Sequence, residues 1–404
     1  MSGQSIRAAG YAWRLYAGSQ AIEQRMKEAI DRIGAKRAFV ICSPSVNRRT
    51  DTVRRIEATL GDQCAGVFDG IEKDSTYASV AAAKTAAEAV DADLLIAVGG
   101  GSVLVAVRVV AIYMAETGDP FEIMTQYPEG KPAYSPRLMA PKPPIINILT
   151  TPTSAMNRGG SGLKNPGLDH RMEYFDPKTR PSAIFLDDDA LLSAPPDLVR
   201  STSTTVFASV VGSQSNVGLN PLAQGDQDTA FRLAHGAYLR LMDELDNPEL
   251  RQHLALAAFL QNRAEDDGRR RFHTNVFAGN YSVSTALHIR YPHVGQGEST
   301  SVLHAATIRL AAEIDLQPAR QVAEALGVWR DGMDGKVAAD TIADTLESIY
   351  TKTGVPTQLR QLDISQGDLI NIAKETVKNF NSNAGVRTAD DQIQNSLELL
   401  EAAW

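Results

Sequence analysis

Asp93-Leu94-Leu95-Ile96-Ala97-Val98-Gly99-Gly100-Gly101-Ser102 is the stretch on which the reading of this chain turns, a short apolar run that stops on three glycines and a serine. Leu94 to Val98 is too short for a free-standing helix and is bounded by charge on one side and glycine on the other. That is the pattern of a parallel strand buried on both faces. The glycines let the backbone come close to a ligand, and Ser102 is placed to cap a helix running from Val103 to about Thr117. Unpaired amide groups and the positive end of the helix dipole would meet there, which suits a phosphate or pyrophosphate. Three glycines also close strand-to-helix turns that bind nothing, so the neighbouring segments have to decide.

Upstream, Ile22, Met26, Ile30 and Ile33 recur at helical spacing and Gly34 supplies a stop. Arg37 to Ser43 reads as a strand, Val53 to Leu60 as a helix and Ala65 to Phe68 as a strand. Ser75 is placed to cap an alanine-rich helix ending near Ala92. Strands alternating with helices imply a parallel sheet covered on both faces. Downstream, a proline-rich link leads to the apolar run Ile145 to Leu149, which ends in Thr150-Thr151-Pro152-Thr153-Ser154. Hydroxyls at the carboxyl end of such a strand face the edge where open parallel sheets bind ligands. Ala183 to Leu186 makes a further strand, closed by Asp187-Asp188-Asp189. From Ala194-Pro195-Pro196 to Trp404 alanine, leucine and charge recur at helical spacing. A boundary near residue 190 follows, with an α/β domain over 1–190 and an all-helical domain over 191–404.

Two domains suit a chain of 404 residues, and 43% hydrophobic with 22% charged residues describes a globular protein. A net charge of −8 argues against nucleic acid as a partner. The pairs Arg48-Arg49 and Arg54-Arg55 and the triplet Arg269-Arg270-Arg271 read as solvated helix faces, the first also able to meet a phosphate. Cys42 and Cys64 read as small core residues rather than a disulfide or metal pair. The first eighteen residues lack the pattern of a secretion signal and no apolar run approaches a membrane span, so a cytoplasmic protein acting on a small molecule is expected.

Taken in order, Phe68-Asp69-Gly70-Ile71-Glu72, Gly99 to Ser102, Thr150-Thr151, Asp187 with Pro195-Pro196, Val322 to Gly327, Gly354-Val355-Pro356-Thr357 and the terminal helix resemble the iron-containing alcohol dehydrogenases, relatives of dehydroquinate synthase. The resemblance implies a Rossmann-like dinucleotide-binding domain, an all-α domain and an active site in the cleft between. It also implies NAD or NADP as cofactor and a homodimer or larger assembly. Gly99, Gly100, Gly101 and Ser102 would hold the pyrophosphate, and Thr150, Thr151 and Thr153 would line the nicotinamide and ribose pocket. The place after the first cofactor strand, often aspartate in members that prefer NAD, is Ser43 here. With Arg48 and Arg49 nearby, either cofactor is expected to be accepted.

The metal side of the resemblance does not carry over. Two of the family's usual ligands fall on Thr205 and Ser209, and the third on His288. Pro292 stands at the second place of the histidine-rich helix with His293 beside it, and Gly297-Glu298-Ser299 replaces the last ligand's turn. Hydroxyls are poor ligands for a divalent transition metal, so no catalytic metal is expected. Val105, Arg108, Asn157 and Arg158 also depart from the family's usual residues, and maleylacetate reductases are the nearest analogy. Carbonyl polarisation then falls to His288, His293, Tyr291 or Arg290, with His273 a further candidate. His288 is equally readable as a core histidine bonded to a carbonyl. Arg158 and Arg290 suggest a substrate with a carboxylate. The alternatives are a metal enzyme with shifted ligands such as His288, His293 and Glu298, a dehydroquinate synthase-like lyase or cyclase using bound NAD, and a cofactor-binding scaffold without chemistry.

Overall fold

The computed structural model describes residues 10–266, 276–380, 382 and 388–404. His273 and Arg269-Arg270-Arg271 lie outside the described residues. The chain divides into two compact units, Ala12–Pro195 with Asp246–Gln252, and Pro196–Leu245 with His253–Trp404.

In the α/β unit, the described residues form a parallel sheet of six strands in the order β1 (Arg14–Gly18), β8 (Ala183–Asp187), β5 (Ile145–Leu149), β4 (Leu94–Gly99), β2 (Ala38–Cys42) and β3 (Cys64–Phe68). Every residue of β2, β4, β5 and β8 is buried, which is why these strands, apart from Asn147 and Asp187, read as apolar runs. Helices α1 (Ala21–Ile33), α2 (Pro44–Arg49), α3 (Thr52–Leu60), α4 (Tyr77–Glu88), α5 (Gly101–Ala115), α6 (Pro120–Ile123) and α7 (Asp188–Leu192) accompany the sheet. Ile22, Met26 and Ile30 form the buried stripe of α1. That helix ends as its spacing predicts, with Gly34 at φ 76° donating its N–H to Ile30. An antiparallel hairpin, β6 (Gly160–Leu163) with β7 (Met172–Phe175), follows β5.

Both N-caps predicted for this half are displaced. Gly100 rather than Ser102 occupies the N-cap of α5, so the helix begins at Gly101. The Ser102 hydroxyl accepts instead from the Asp74 amide at 3.2 Å. Thr76, not Ser75, caps α4 by accepting from Ser79, while Ser75 donates to the Ser102 carbonyl at 2.6 Å. Asp74 and Ser75 both have positive φ, and this bend ties the loop before α4 to the first turn of α5.

The helical unit comprises α8 (Pro196–Ser213), α9 (Pro221–Arg240), α10 (Pro248–Asp266), α11 (Tyr281–Arg290), α12 (Gln296–Arg309), α13 (Leu316–Ala325), α14 (Gly335–Lys352), α15 (Leu369–Glu375) and α16 (Ala389–Ala402). The first residues of α10 belong with the α/β unit, where Arg251 donates to the Leu191 carbonyl at 2.5 Å. Helices α8 and α12 touch backbone to backbone, because a Cβ on Gly297 would stand 2.0 Å from the Ser201 carbonyl oxygen. Leu287, Leu303, Leu369 and Leu400 belong to the core of this unit. No described helix is long and apolar enough to cross a membrane.

Candidate functional site

From β2 the chain passes outward to β3, whereas from β4 it continues to β5 and β8 on the other side. The winding therefore reverses between β2 and β4, and in open parallel sheets a ligand binds outside the carboxyl ends of the strands at such a reversal. Cys42 pairs with Val98, so Ser43 and Gly99 emerge side by side at that point. The triple-glycine turn is placed where the topology by itself puts a nucleotide.

A Cβ on any of the three glycines would crowd a neighbour. Gly99 has φ 157°, and a Cβ there would lie 2.8 Å from Val103. A Cβ on Gly100 would lie 2.9 Å from the Thr151 hydroxyl, and one on Gly101 3.2 Å from that of Thr153. The threonine loop thus packs on the glycine backbone, and Thr150 donates its amide to the Gly99 carbonyl at 3.2 Å. Thr151 is fully buried, yet its hydroxyl has no hydrogen-bond partner within the protein. A buried hydroxyl without a partner is costly, and one at a ligand edge is suited to a ligand atom. A cradle that excludes Cβ atoms, amides of a helix start and an unsatisfied hydroxyl together fit a dinucleotide.

The loop that carries these threonines is pinned along its length. Thr153 accepts from the Ala155 amide at 3.1 Å, and Asn147 of β5 donates to the Met156 carbonyl at 2.8 Å. Arg108 of α5 is only 2% exposed and donates through Nη1 to the Arg158 carbonyl at 2.5 Å and through Nε to the Leu104 carbonyl at 3.3 Å. Asp176 donates its amide to the Gly159 carbonyl at 3.0 Å. Arg108 was singled out in the sequence only as a departure from the family pattern; its clamp between helix and loop has no local sequence signal.

Ser43 stands at the N-cap of α2 with its hydroxyl 3.1 Å from that of Ser45. Cys42 is buried in the sheet, and burial pushes its thiol up to about 12, in keeping with a core role. Asp187 at the end of β8 is fully buried; it caps α7 through Ala190 and receives Arg55 at 3.0 Å.

In the helical unit, His288, Arg290 and Tyr291 sit at the end of α11 and His293 just beyond it. His288 is 6% exposed with Nδ1 3.0 Å from the Ser284 carbonyl, which makes Nδ1 a proton donor. Arg290 is engaged by Asp368 at 2.7 Å and by Glu375 at 2.6 Å, and Tyr291 donates to the same Asp368 carboxylate. His293 is exposed, with Nε2 3.1 Å from the Leu362 carbonyl. Arg290 and Tyr291 therefore share one carboxylate, whereas His288 and His293 face separate carbonyls.

At the places where the resemblance puts metal ligands, Thr205 donates to the Ser201 carbonyl at 3.4 Å and Ser209 accepts from the Gln261 amide at 2.6 Å. Among the described residues no three His, Cys, Asp or Glu side chains gather as a metal-ligating group. Neutral hydroxyls already committed to helix and amide bonds do not fit a divalent transition metal.

Comparison with known proteins points one way. Residues 13–188 match the family model of the iron-containing alcohol dehydrogenases. The chain is 28% identical over 224 residues to maleylacetate reductase 2 of Cupriavidus pinatubonensis, a match covering 55% of this chain and 53% of that protein. It is 22% identical over 327 residues to 1,3-propanediol dehydrogenase of Citrobacter freundii, covering 81% of this chain and 80% of that one. The match thus spans about half the length of the first relative and most of the second. A crystal structure of 1,3-propanediol oxidoreductase superposes with a TM-score of 0.83 at 18% identity, covering 99% of this chain and 100% of that one. Maleylacetate reductase from a Rhizobium strain superposes with a TM-score of 0.73 at 18% identity, covering 100% and 99%. At these identities the structural likeness establishes the fold.

Proposed function

We propose that this chain, whose residues 13–188 match the family model of the iron-containing alcohol dehydrogenases, is an NAD(P)-dependent oxidoreductase acting on a small carbonyl or hydroxyl compound without a catalytic metal. The observation that carries the reading is the glycine turn at the sheet's reversal point, closed by Thr151 with its buried, unpartnered hydroxyl. The bound nicotinamide would donate or accept the hydride. The chain's own part is to hold the pyrophosphate on the amides of Gly99 to Ser102 and to order the nicotinamide side with Thr150, Thr151 and Thr153.

Metal independence is supported by Thr205 and Ser209, whose hydroxyls stand where the resemblance expects charged or imidazole ligands. Charge developing on the substrate oxygen then needs a protein donor. In this reading His288 serves, with His293 and Tyr291 as further donors. Its Nδ1 donates to the Ser284 carbonyl, so Nε2 is the nitrogen assigned the donor role in this reading. In reduction, a proton held at Nε2 would neutralise the charge that develops on the substrate oxygen.

A carboxylate on the substrate is proposed from Arg158, on the loop that follows the threonines. Arg290 no longer supports this idea, since Asp368 and Glu375 already occupy its guanidinium. The assembly is read as a homodimer or larger on the resemblance alone.

The test is the oxidation of NADH or NADPH by the purified protein with keto acids and neutral ketones of matched size. Turnover that favours acids and falls about tenfold or more in kcat/KM for Arg158→Met supports the reading. Unchanged affinity for every accepted acid removes the carboxylate, and no binding of either cofactor removes the enzyme.

A further inference from the structure

We infer that Asp69, at the carboxyl end of β3, makes this chain prefer NADH over NADPH, an inference that rests on the cofactor reading above. Ser43, the first residue beyond β2, is neutral and by itself sets no preference. The parallel pairing of Ile41 with Phe68 brings the residue after β3 beside the end of β2, and the Ile71 amide donates to the Cys42 carbonyl at 3.2 Å. Asp69 is thereby held at the same edge as Ser43. Asn47 of α2 donates to its Oδ2 at 3.0 Å, which fixes the carboxylate toward the start of that helix.

Arg48 and Arg49 are the cations that make NADP acceptable in the sequence, and the Arg48 Nε lies 3.7 Å from the same Asp69 oxygen. The Arg48 charge is therefore offset before any ligand arrives. A nucleotide seated at the β2–β4 reversal point places its ribose near the end of β2, where a carboxylate accepts from ribose hydroxyls and repels a 2′-phosphate. That phosphate would bring a charge of about −1.5 to −2 toward Asp69. The Asp69 side chain is 33% exposed, so solvent screening limits the effect to a preference rather than an exclusion.

Equilibrium titration of the full-length protein with NADH and with NADPH, followed by nicotinamide fluorescence, tests the inference on wild type, Asp69→Asn and Asp69→Glu. Wild type should bind NADH about tenfold or more tighter than NADPH, and more so at low salt. Asp69→Asn should narrow that ratio by tightening NADPH, and Asp69→Glu, which keeps the charge, should retain the preference. Equal wild-type affinities, an unchanged ratio in Asp69→Asn, or Asp69→Glu behaving as Asp69→Asn would overturn the inference. Wild type binding neither nucleotide would instead overturn the cofactor reading on which it rests.

Discussion

Arg108, in the helix that the glycine turn begins, donates to the main-chain carbonyl of Arg158, fifty residues on in the loop that the threonines begin. One guanidinium thus ties together the two backbone segments that make the cradle. Removing it cuts this tie between the loop and α5 while the sheet stays intact. Arg108→Met should raise the dissociation constant for reduced cofactor about tenfold, and Arg108→Lys, which can still reach one carbonyl, should lose less. Val110→Ala, a cavity in the same helix, is the control: it should lower thermal stability without moving the cofactor constant. Cofactor titration beside thermal melts checks all three.

Gly100→Ala should damage cofactor binding more than it damages the fold. Its Cβ would press on the Thr151 hydroxyl at 2.9 Å, and overpacking of this kind costs about 1–3 kcal/mol. Thr151→Ala in the same chain removes the clash. The double variant should recover most of the lost stability in urea unfolding but not the lost affinity, because the hydroxyl proposed for the ligand is gone. Recovery of both would mean that Thr151 only fills space.

His304 is fully buried, with Nδ1 2.7 Å from the Tyr350 hydroxyl and Nε2 2.8 Å from the Phe277 carbonyl. Burial lowers its pKa to about 4, so the folded ring is neutral where the unfolded one begins to charge at its ordinary value of about 6.5. Stability from this residue is complete above the unfolded value and is lost as pH falls from about 6.5 toward about 4. Between pH 7.5 and pH 5 the loss should be about 2 kcal/mol in urea unfolding. His304→Gln should be less stable at neutral pH and flatter over the same interval.

Much of the fold was legible because the interior strands carry their burial in their composition. Ile145 to Leu149 is a strand from end to end as read, since every residue is buried and all but Asn147 are apolar. The edge strand Arg14–Gly18 was not foreseen: it pairs on one side with β8, and Arg14 and Ala17 are exposed. Gly99 to Gly101 and the threonine loop could be read because each cluster is local in sequence. Asp69 could not, because its meaning depends on the register that sets the end of β3 beside the end of β2. Arg290 suggested a substrate group because its partners Asp368 and Glu375 lie far downstream, and only the packing of α11 against α15 joins them.

Arg290→Met should accordingly behave as a structural variant. Its ion pairs are partly exposed, so screening limits the loss to about 1 kcal/mol. The KM for any accepted acid should stay where it is. Arg158→Met should instead raise the KM for the accepted acids. Steady-state kinetics and urea unfolding on the two variants separate a binding arginine from a packing one.

Hydride transfer between a nicotinamide and a small carbonyl compound without a metal is tested by the rate of NADH oxidation, with the best accepted carbonyl substrate, by protein dialysed exhaustively against a chelator and analysed for metal in the same sample. Turnover should persist with metal far below one equivalent per chain and should not rise when Zn or Fe is restored. Activity lost on chelation and recovered with either metal would contradict metal-free transfer.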